Sequence, residues 1–316
     1  MSDFDVVIAH RGNDPSGLWF TVQSIDIEMA KSGFSYQYFI VVNGQEKLGA
    51  EITVLQRVLD HPHVAKIGWM HLSKDPLAPP VARQMAIDKG SAPLIALFDS
   101  HVLVTDGFFK RAKFDHMQYD IDILHSATKF FHGDCTNYHY TFTLENNFWG
   151  HAHDVLDNEF KAYQIGAGGH GGIVVKRSSW EEVGGYWDGF VGYGGEEMYM
   201  DLKMALLDKK VWLDPQLIHY HYAGDRGYNR HYTEDYFVNM MAVAHIIGGE
   251  KYLDKVMKSF GDPRQFTIRF TEGVTLYDLY QRAYTVSKDR KEWLDGKRKR
   301  TLDEQLAKFK ELGVPH

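Results

Sequence analysis

Short apolar runs alternate with amphipathic stretches through the first hundred residues. Val6-Val7-Ile8-Ala9 is an unbroken apolar run behind Asp5, the pattern of a strand buried on both faces. It gives way to the polar, glycine-containing stretch His10–Gly17, after which Trp19, Val22, Ile25 and Met29 recur at helical spacing. Tyr38–Val42 predicts a second strand, stopped by Asn43-Gly44, and Glu51–Leu59 a helix. Val64–Met70 predicts a third strand. Pro79-Pro80 opens a helix over Val81–Lys89, because proline is tolerated in a first turn. A fourth strand, Leu94–Phe98, runs into Asp99-Ser100-His101. Strands separated by helical stretches predict βαβ units: an α/β, Rossmann-like fold with a mostly parallel central sheet flanked by helices. Such sheets bind ligands beyond the carboxyl ends of their strands. Three of those ends carry His10 and Arg11, Asn43, and Asp99 with His101.

The second half is less regular. From Phe114 to Gln164 the chain mixes His, Tyr, Phe and Asn with little periodicity, which reads as an inserted sheet region or loops lining a cleft. Gly166–Gly172 is too glycine-dense for a regular element and reads as a mobile loop near that cleft. It enters a strand at Ile173–Val175. Gly192–Glu197 then opens a helix through Met198–Leu207, and the strand Val211–Leu213 leads into His219-Tyr220-His221-Tyr222. Beyond about residue 230 the pattern is helical, over Tyr236–Ile247, Lys251–Phe260, Leu276–Val286 and Leu302–Leu312.

Composition narrows the class. Of 316 residues, 44% are hydrophobic and 24% charged, the mix of a soluble globular protein with a substantial core. The apolar runs fall far short of the ~18 residues that span a bilayer. Cys135 is the single cysteine, so an intrachain disulfide and a thiolate-rich metal site are both excluded. Together with a polar N-terminal stretch that lacks a signal-peptide core, this leads to the expectation of a cytoplasmic protein. Lys plus Arg total 35 against 42 Asp plus Glu, a net charge of −7, which disfavours a dedicated nucleic-acid binder. A basic run from Lys288 to Arg300 is the local exception, read first as a solvated helix face and second as a polyanion contact. An aromatic content of 14% suits flat ligands such as sugars as well as it suits a core.

Candidate chemistry begins with Asp99 and His101. Alternate residues of an extended chain point the same way, so this carboxylate and imidazole can grip one divalent cation. An oxygen–nitrogen set suits Mn²⁺, with Zn²⁺ also possible. A strand-end Asp is equally a turn former, and what strengthens the metal reading is the second His pair, His219 and His221, at another strand end. Arg83, just before the fourth strand, offers a planar guanidinium suited to a diphosphate, or simply a helix-surface charge. Gly194-Gly195 lets a backbone approach a ligand closely. Glu196 and Glu197 then start a helix, where acids also complement the helix dipole.

In this order the segments resemble the GT-A-fold nucleotide-sugar glycosyltransferases, in particular the broad family-two group and the polypeptide N-acetylgalactosaminyltransferase branch. Ala82-Arg83-Gln84-Met85-Ala86 is similar to the Ala-Arg-Asn segment before the metal strand, and Asp99-Ser100-His101 to the Asp-x-His form of the Asp-x-Asp motif. Val183-Gly184-Gly185-Tyr186 and Gly194-Gly195-Glu196-Glu197 resemble the Gly-x-Tyr and Gly-Gly-Glu-Asn or Gly-Gly-Glu-Asp segments. The resemblance covers about residues 5–225. The helical pattern sets off a C-terminal region over 231–316, on which no family parallel falls, and the resemblance implies a catalytic domain over 1–230, with a nucleotide-sugar half about 1–105 and an acceptor half about 106–230. It implies a metal, Mn²⁺ or Mg²⁺, on Asp99, His101 and His221, with His219 the second choice. The donor, a nucleotide-diphosphate sugar with UDP favoured, would lie against Ala9, Arg11, Asn43, Arg83, Asp99 and Ser100. Glu196 would bind donor hydroxyls and Glu197 would act as general base. Three departures stand out: Asn43 replaces the usual Asp, Glu197 the usual Asn or Asp, and His10-Arg11-Gly12-Asn13 the commoner Pro-Thr-Tyr-Asn.

The implied reaction moves a sugar to an acceptor hydroxyl on a glycan, a protein or modified DNA, with inversion and retention both open. Tyr220–Tyr232, containing Arg226 and Arg230, is expected to close over the donor. Two other classes compete. One is a metal-dependent hydrolase built on His10, Asp99, His101, His219 and His221. The other is a non-catalytic nucleotide-sugar-binding protein of the same fold.

Overall fold

The computed structural model describes residues 2–10, 15–43, 52–64, 69–71, 77–130, 138–143, 149–154, 161–222, 233–261 and 271–314. Four strands, β1 (Phe4–His10), β2 (Tyr36–Asn43), β3 (Trp69–His71) and β4 (Leu94–Asp99), run parallel in the spatial order β3-β2-β1-β4. They are linked through α1 (Pro15–Ser32), α2 (Ile52–Leu59) and α3 (Pro79–Ile87). The chain winds outward from β1 to β3 and then returns to place β4 on the other side of β1. The winding direction therefore reverses between β1 and β4, which is the switch point where open α/β sheets bind ligands.

The sheet continues through β10 (Gly172–Lys176), β6 (Ile123–Phe130), β11 (Val211–His221) and the short β5 (Val102–Val104). Of these, β10 and β5 run antiparallel to their neighbours, while β6 and β11 are parallel to each other. A hairpin of β7 (Tyr138–Thr143) and β8 (Trp149–Asp154) extends from β6, and β9 (Tyr163–Gln164) pairs with β11. The inserted sheet expected between Phe114 and Gln164 is this hairpin. Two elements there went unread: α4 (Phe108–Tyr119) and β6, a central strand. The sequence of β6, Ile-Leu-His-Ser-Ala-Thr-Lys-Phe, hides a buried strand because His125 and Ser126 interrupt its apolar run. Both find partners inside, so their burial is tolerated.

Each strand residue faces one of two layers. Phe4, Val6 and Ile8 pack with Leu18, Val22, Ile25 and Met29 of α1 and with Phe108 and Phe109 of α4. Val7, Ile95 and Leu97 face the opposite layer, with Ala82 and Ala86 of α3, Trp180 of α5 (Arg177–Glu182), and Met200 and Met204 of α6 (Glu196–Leu206). The other face of α6, through Met198, Tyr199, Leu202 and Leu206, packs on a third cluster. That cluster is built by α7 (Glu234–Gly248), α8 (Glu250–Phe260), α9 (Leu276–Asp295) and α10 (Leu302–Glu311). Helix α6 is thus buried nearly all round, its charged Glu196, Asp201 and Lys203 included, because it lies between the sheet and the C-terminal helices. Helix α9 runs nine residues past the expected end at Val286. Its last turns are highly charged on the solvent side, yet Leu294 remains wholly buried on the inner side. Among the described residues no helix is long and apolar enough to cross a membrane.

Candidate functional site

At the switch point Ala9, the penultimate residue of β1, is paired in register with Asp99 at the end of β4. The Asp99 N–H donates to Gly171 O at 3.1 Å. The chain then turns through Ser100 and His101 into β5, which runs antiparallel along β11 and pairs Val102 with His221. The Tyr222 N–H donates to His101 O at 2.9 Å and closes this end. Backbone pairing therefore brings together two segments 120 residues apart in the chain. Nε2 of His101 and Nε2 of His221 lie 3.1 Å apart. Oδ2 of Asp99 is 3.2 Å from the latter and 3.9 Å from the former.

Two of these three separations fit a shared cation, while the third, 3.9 Å between Asp99 and His101, is wider than a single shell. Ligand atoms held ~2.0–2.2 Å from one ion lie about 3.0–3.5 Å from each other, and two imidazole nitrogens at 3.1 Å need a proton or a metal between their lone pairs. Burial works against the charge of Asp99. The hydrogen bond from His221 and the positive charge of Arg83 outweigh it and hold the carboxyl well below the usual carboxylate range.

Arg83 stands behind this group on α3. One guanidinium nitrogen donates to Asp99 Oδ1 at 2.7 Å, and the residue is only 5% exposed. Nε of Arg83 is buried with no hydrogen-bond partner among the described residues. Burial opposes its charge, while Tyr186, Asp99, Glu196 and Glu197 around it favour the cation and raise its pKa. A buried, partly unsatisfied guanidinium aimed toward a ligand carboxylate is a feature that an anionic group would complete.

Glu196 and Glu197 begin α6, which Gly195 precedes at φ 82. Glu196 is buried and its Oε2 accepts from the Gly194 N–H at 3.1 Å. Oε1 of Glu197 accepts from the His170 N–H at 2.9 Å. Burial raises both carboxyls. Glu197, which also feels the charge of Glu196, is pushed up to about 8.

Other expected residues are placed differently. Asn43 is buried at the end of β2, where its amide pairs with both backbone groups of Leu77, at 2.8 and 2.9 Å. Ser100 is buried in the turn between Asp99 and His101. His219 does not join Asp99: its Nδ1 meets Ser126 Oγ at 2.7 Å and its Nε2 meets Thr128 Oγ1 at 3.3 Å. Burial lowers it to about 3, so it is neutral. Arg11 lies outside the described residues, as do Arg226 and Arg230 and all of the expected covering segment beyond Tyr222. Gly166–Gly172, expected as a mobile loop near the cleft, is instead largely buried. Ala167 and His170 are fully packed, and the Gly168 N–H donates to Asp201.

A second group escaped the sequence reading: His125, His170 and Asp201, all buried and mutually close. No spacing announces it, since its members come from β6, the glycine stretch and α6. The only signal was the presence of polar residues inside otherwise apolar elements.

No protein-family model matches the sequence, and no curated protein is similar to it at the sequence level. Solved structures are similar in fold. A crystal structure of GalNAc-T7 with UDP, GalNAc and Mn²⁺ matches over 93% of this chain with a TM-score of 0.66 and 13% identity. This chain spans 56% of the length of that structure. S. aureus TarS, residues 1–349, matches over 96% of this chain and 77% of its own, with a TM-score of 0.52 and 11% identity. The same TarS segment in complex with UDP-GlcNAc matches over the same shares, with a TM-score of 0.54 and 12% identity. The expected GT-A architecture is thereby established: a mostly parallel α/β sheet with a helical C-terminal extension.

Proposed function

We propose that this chain is a metal-dependent glycosyltransferase that moves a sugar from a nucleotide-diphosphate sugar, UDP-linked by preference, to an acceptor hydroxyl. The observation that carries the reading is the convergence of Asp99, His101 and His221 at the switch point, with Arg83 fixed on Asp99 from behind. The bound nucleotides of GalNAc-T7 and TarS support the donor class, and the Mn²⁺ of GalNAc-T7 supports the ion.

Asp99, His101 and His221 would hold Mn²⁺ or Mg²⁺, which supplies Lewis-acid charge to offset that of a departing diphosphate. Arg83 orients Asp99 through one guanidinium nitrogen and adds fixed positive charge beside the diphosphate. Being buried, it makes a stronger contact than it would in water. Glu196 is held by the Gly194 backbone, which suits a fixed acceptor for donor hydroxyls. Glu197 is the general base. A carboxyl raised to about 8 by burial and by its neighbour has a pKa near neutral working pH, where proton abstraction from a hydroxyl is efficient. The acceptor is a glycan or protein hydroxyl in this reading. The basic C-terminal run gives little support to DNA, because Arg290, Lys291, Arg298 and Arg300 are bonded to Tyr199, Asp295 and Asp208 within the chain.

The test is a panel of nucleotide sugars with Mn²⁺, scored for release of the nucleotide diphosphate. One donor is expected to be consumed. Chelation should stop the reaction, added Mn²⁺ should restore it, and Asp99→Ala should lower the rate by at least ~10²-fold, since Lewis-acid stabilisation is worth several kcal/mol. No consumption of any donor, or an Asp99→Ala enzyme at the parent rate, would refute the proposal.

A further inference from the structure

We propose that His125, His170 and Asp201 form a second divalent-cation site, buried beneath the cleft, which takes a zinc-class ion. The residues come from β6, the glycine stretch and α6, and each is at most 1% exposed. Their ligand atoms lie within 4.8 Å of one another. Nε2 of His125 is 3.2 Å from both carboxylate oxygens of Asp201, and Nε2 of His170 is 3.2 Å from Oδ1.

Proton placement points to a cation. Nδ1 of His125 faces Gly169 O at 3.2 Å, and a carbonyl can only accept, so Nδ1 carries the hydrogen. A neutral ring then turns the lone pair of Nε2 toward a carboxylate that also can only accept. Two acceptors facing each other in a dry interior repel, and a positive charge must lie between them. A proton on Nε2 of His125, shared between the two equidistant oxygens of Asp201, is one such charge, and a divalent cation that also engages His170 is the other. All the imidazole–carboxylate distances here stay at 3.2 Å. That is close to the edge of a tetrahedral zinc shell, about 3.3 Å for ligands ~2.0–2.1 Å from the ion.

The surroundings match as well. Metal-bound histidines characteristically engage their other nitrogen with a carbonyl or another fixed group. Here Nδ1 of His125 meets Gly169 O and Nδ1 of His170 meets Tyr186 Oη at 2.7 Å. Oδ2 of Asp201 is fixed by the Gly168 N–H at 2.7 Å. A Cβ on residue 168 would lie 2.7 Å from His125 Nδ1, so only glycine lets the backbone pass. Two imidazoles and one carboxylate form a borderline donor set that favours Zn²⁺ over Mg²⁺ or Ca²⁺. Three protein ligands leave a fourth position, which water takes in known zinc sites of this kind.

An ion here would join α6, whose first turn bears Glu196 and Glu197, to β6. It would also join both to the glycine stretch, whose His170 N–H holds Glu197 and whose Gly171 O holds the Asp99 N–H. The second site would thus act as a clamp under the first while touching no substrate.

The inference does not depend on the transferase reading, and its test is metal content. The full chain carrying His221→Ala, which disables the first site, is purified without chelator and analysed by elemental mass spectrometry. About one equivalent of zinc per chain is expected, together with a tetrahedral Co²⁺ visible spectrum after exchange. In the same background Asp201→Asn and His170→Gln should abolish both signals. Tyr186→Phe, which removes the hydroxyl that bonds His170 and also Arg83 while leaving all three ligands in place, should weaken zinc binding by ~10–100-fold. Because the triad variants can also unfold the protein, the His221→Ala chain is separately stripped by chelation and melted. Its midpoint should fall and should recover on titration of Zn²⁺ to one equivalent. Absence of bound metal, with a melting midpoint unmoved by chelator and by added Zn²⁺, would overturn the proposal and leave a metal-free His–Asp–His cluster.

Discussion

Glu197 and Arg83 carry the most specific expectations at the residue scale. Glu197→Gln keeps the side chain's size and its bond from the His170 N–H but removes the carboxylate proposed as the base. It should lower kcat by ~10²–10⁴-fold while leaving donor binding, read by calorimetry with the nucleotide diphosphate, nearly intact. An unchanged kcat would take the base role from this residue. Arg83→Lys keeps the charge and loses the fork. A charge-assisted hydrogen bond worth ~1.5–3 kcal/mol should disappear with it, a loss of about 10–100-fold in kcat/KM. A third residue gives a pH signature away from the cleft. Asp115 is buried on α4, and burial together with the neighbouring Asp214 pushes its carboxyl up to about 8. The folded state therefore holds this proton more tightly than the unfolded chain does. Its contribution to stability is full below about 4 and is lost as pH rises toward 8. Asp115→Asn, a neutral isostere, should raise the melting midpoint at pH 8 and change it little at pH 4. Equal shifts at both pH values would contradict this account.

Glycine placement decides how closely the elements pack. Gly172 lies in β10 where a Cβ would come within 2.7 Å of His219 Nδ1 and Ser126 Oγ. Gly172→Ala should cost about 1–3 kcal/mol by overpacking, seen as a lower midpoint in thermal melts. Gly296, at φ −70 with its nearest neighbours at 3.6 Å, is the control. Ala there should be neutral or stabilising by ~0.4–1 kcal/mol. The same scale explains what could be read in advance. The strands before Asp99 announced themselves as unbroken apolar runs, and the helices after residue 233 by their 3.6-residue period. Strand β11 was read only over Val211–Leu213, since Pro215 and a register shift between Asp214 and Ile218 break its alternation before His221. Strand β6 and the glycine stretch were missed or misread because their polar and glycine residues look like loop chemistry until partners from distant elements satisfy them.

In the whole molecule, α6 couples the C-terminal helices to the sheet. Met198, Tyr199, Leu202 and Leu206 share a core with Phe237, Met241, Leu253, Leu294, Leu302 and Phe309. Burial of each large apolar side chain contributes about 1.5–3 kcal/mol, and a domain's net stability is only ~5–15 kcal/mol. A chain ending near residue 287 loses Leu294, Leu302, Phe309 and Val314 from this core. It should fail to give a cooperative melt, and a cooperative transition at the parent temperature would show the helices to be dispensable.

From the sequence alone, apolar runs and turn chemistry determined the α/β class, the polar strand ends, and Asp99 with His101 as a pair, because those features act over a few neighbouring residues. Only the tertiary structure decided which distant groups meet. Pairing of β5 with β11 selects His221 over His219, and burial turns Arg83 from a surface charge into a support for Asp99. The packing of β6, α6 and the glycine stretch assembles His125, His170 and Asp201, for which no local pattern exists. The physical reason is range: local preferences act within a turn or a strand, whereas charge, protonation and coordination depend on atoms that only long-range packing brings within a few ångströms.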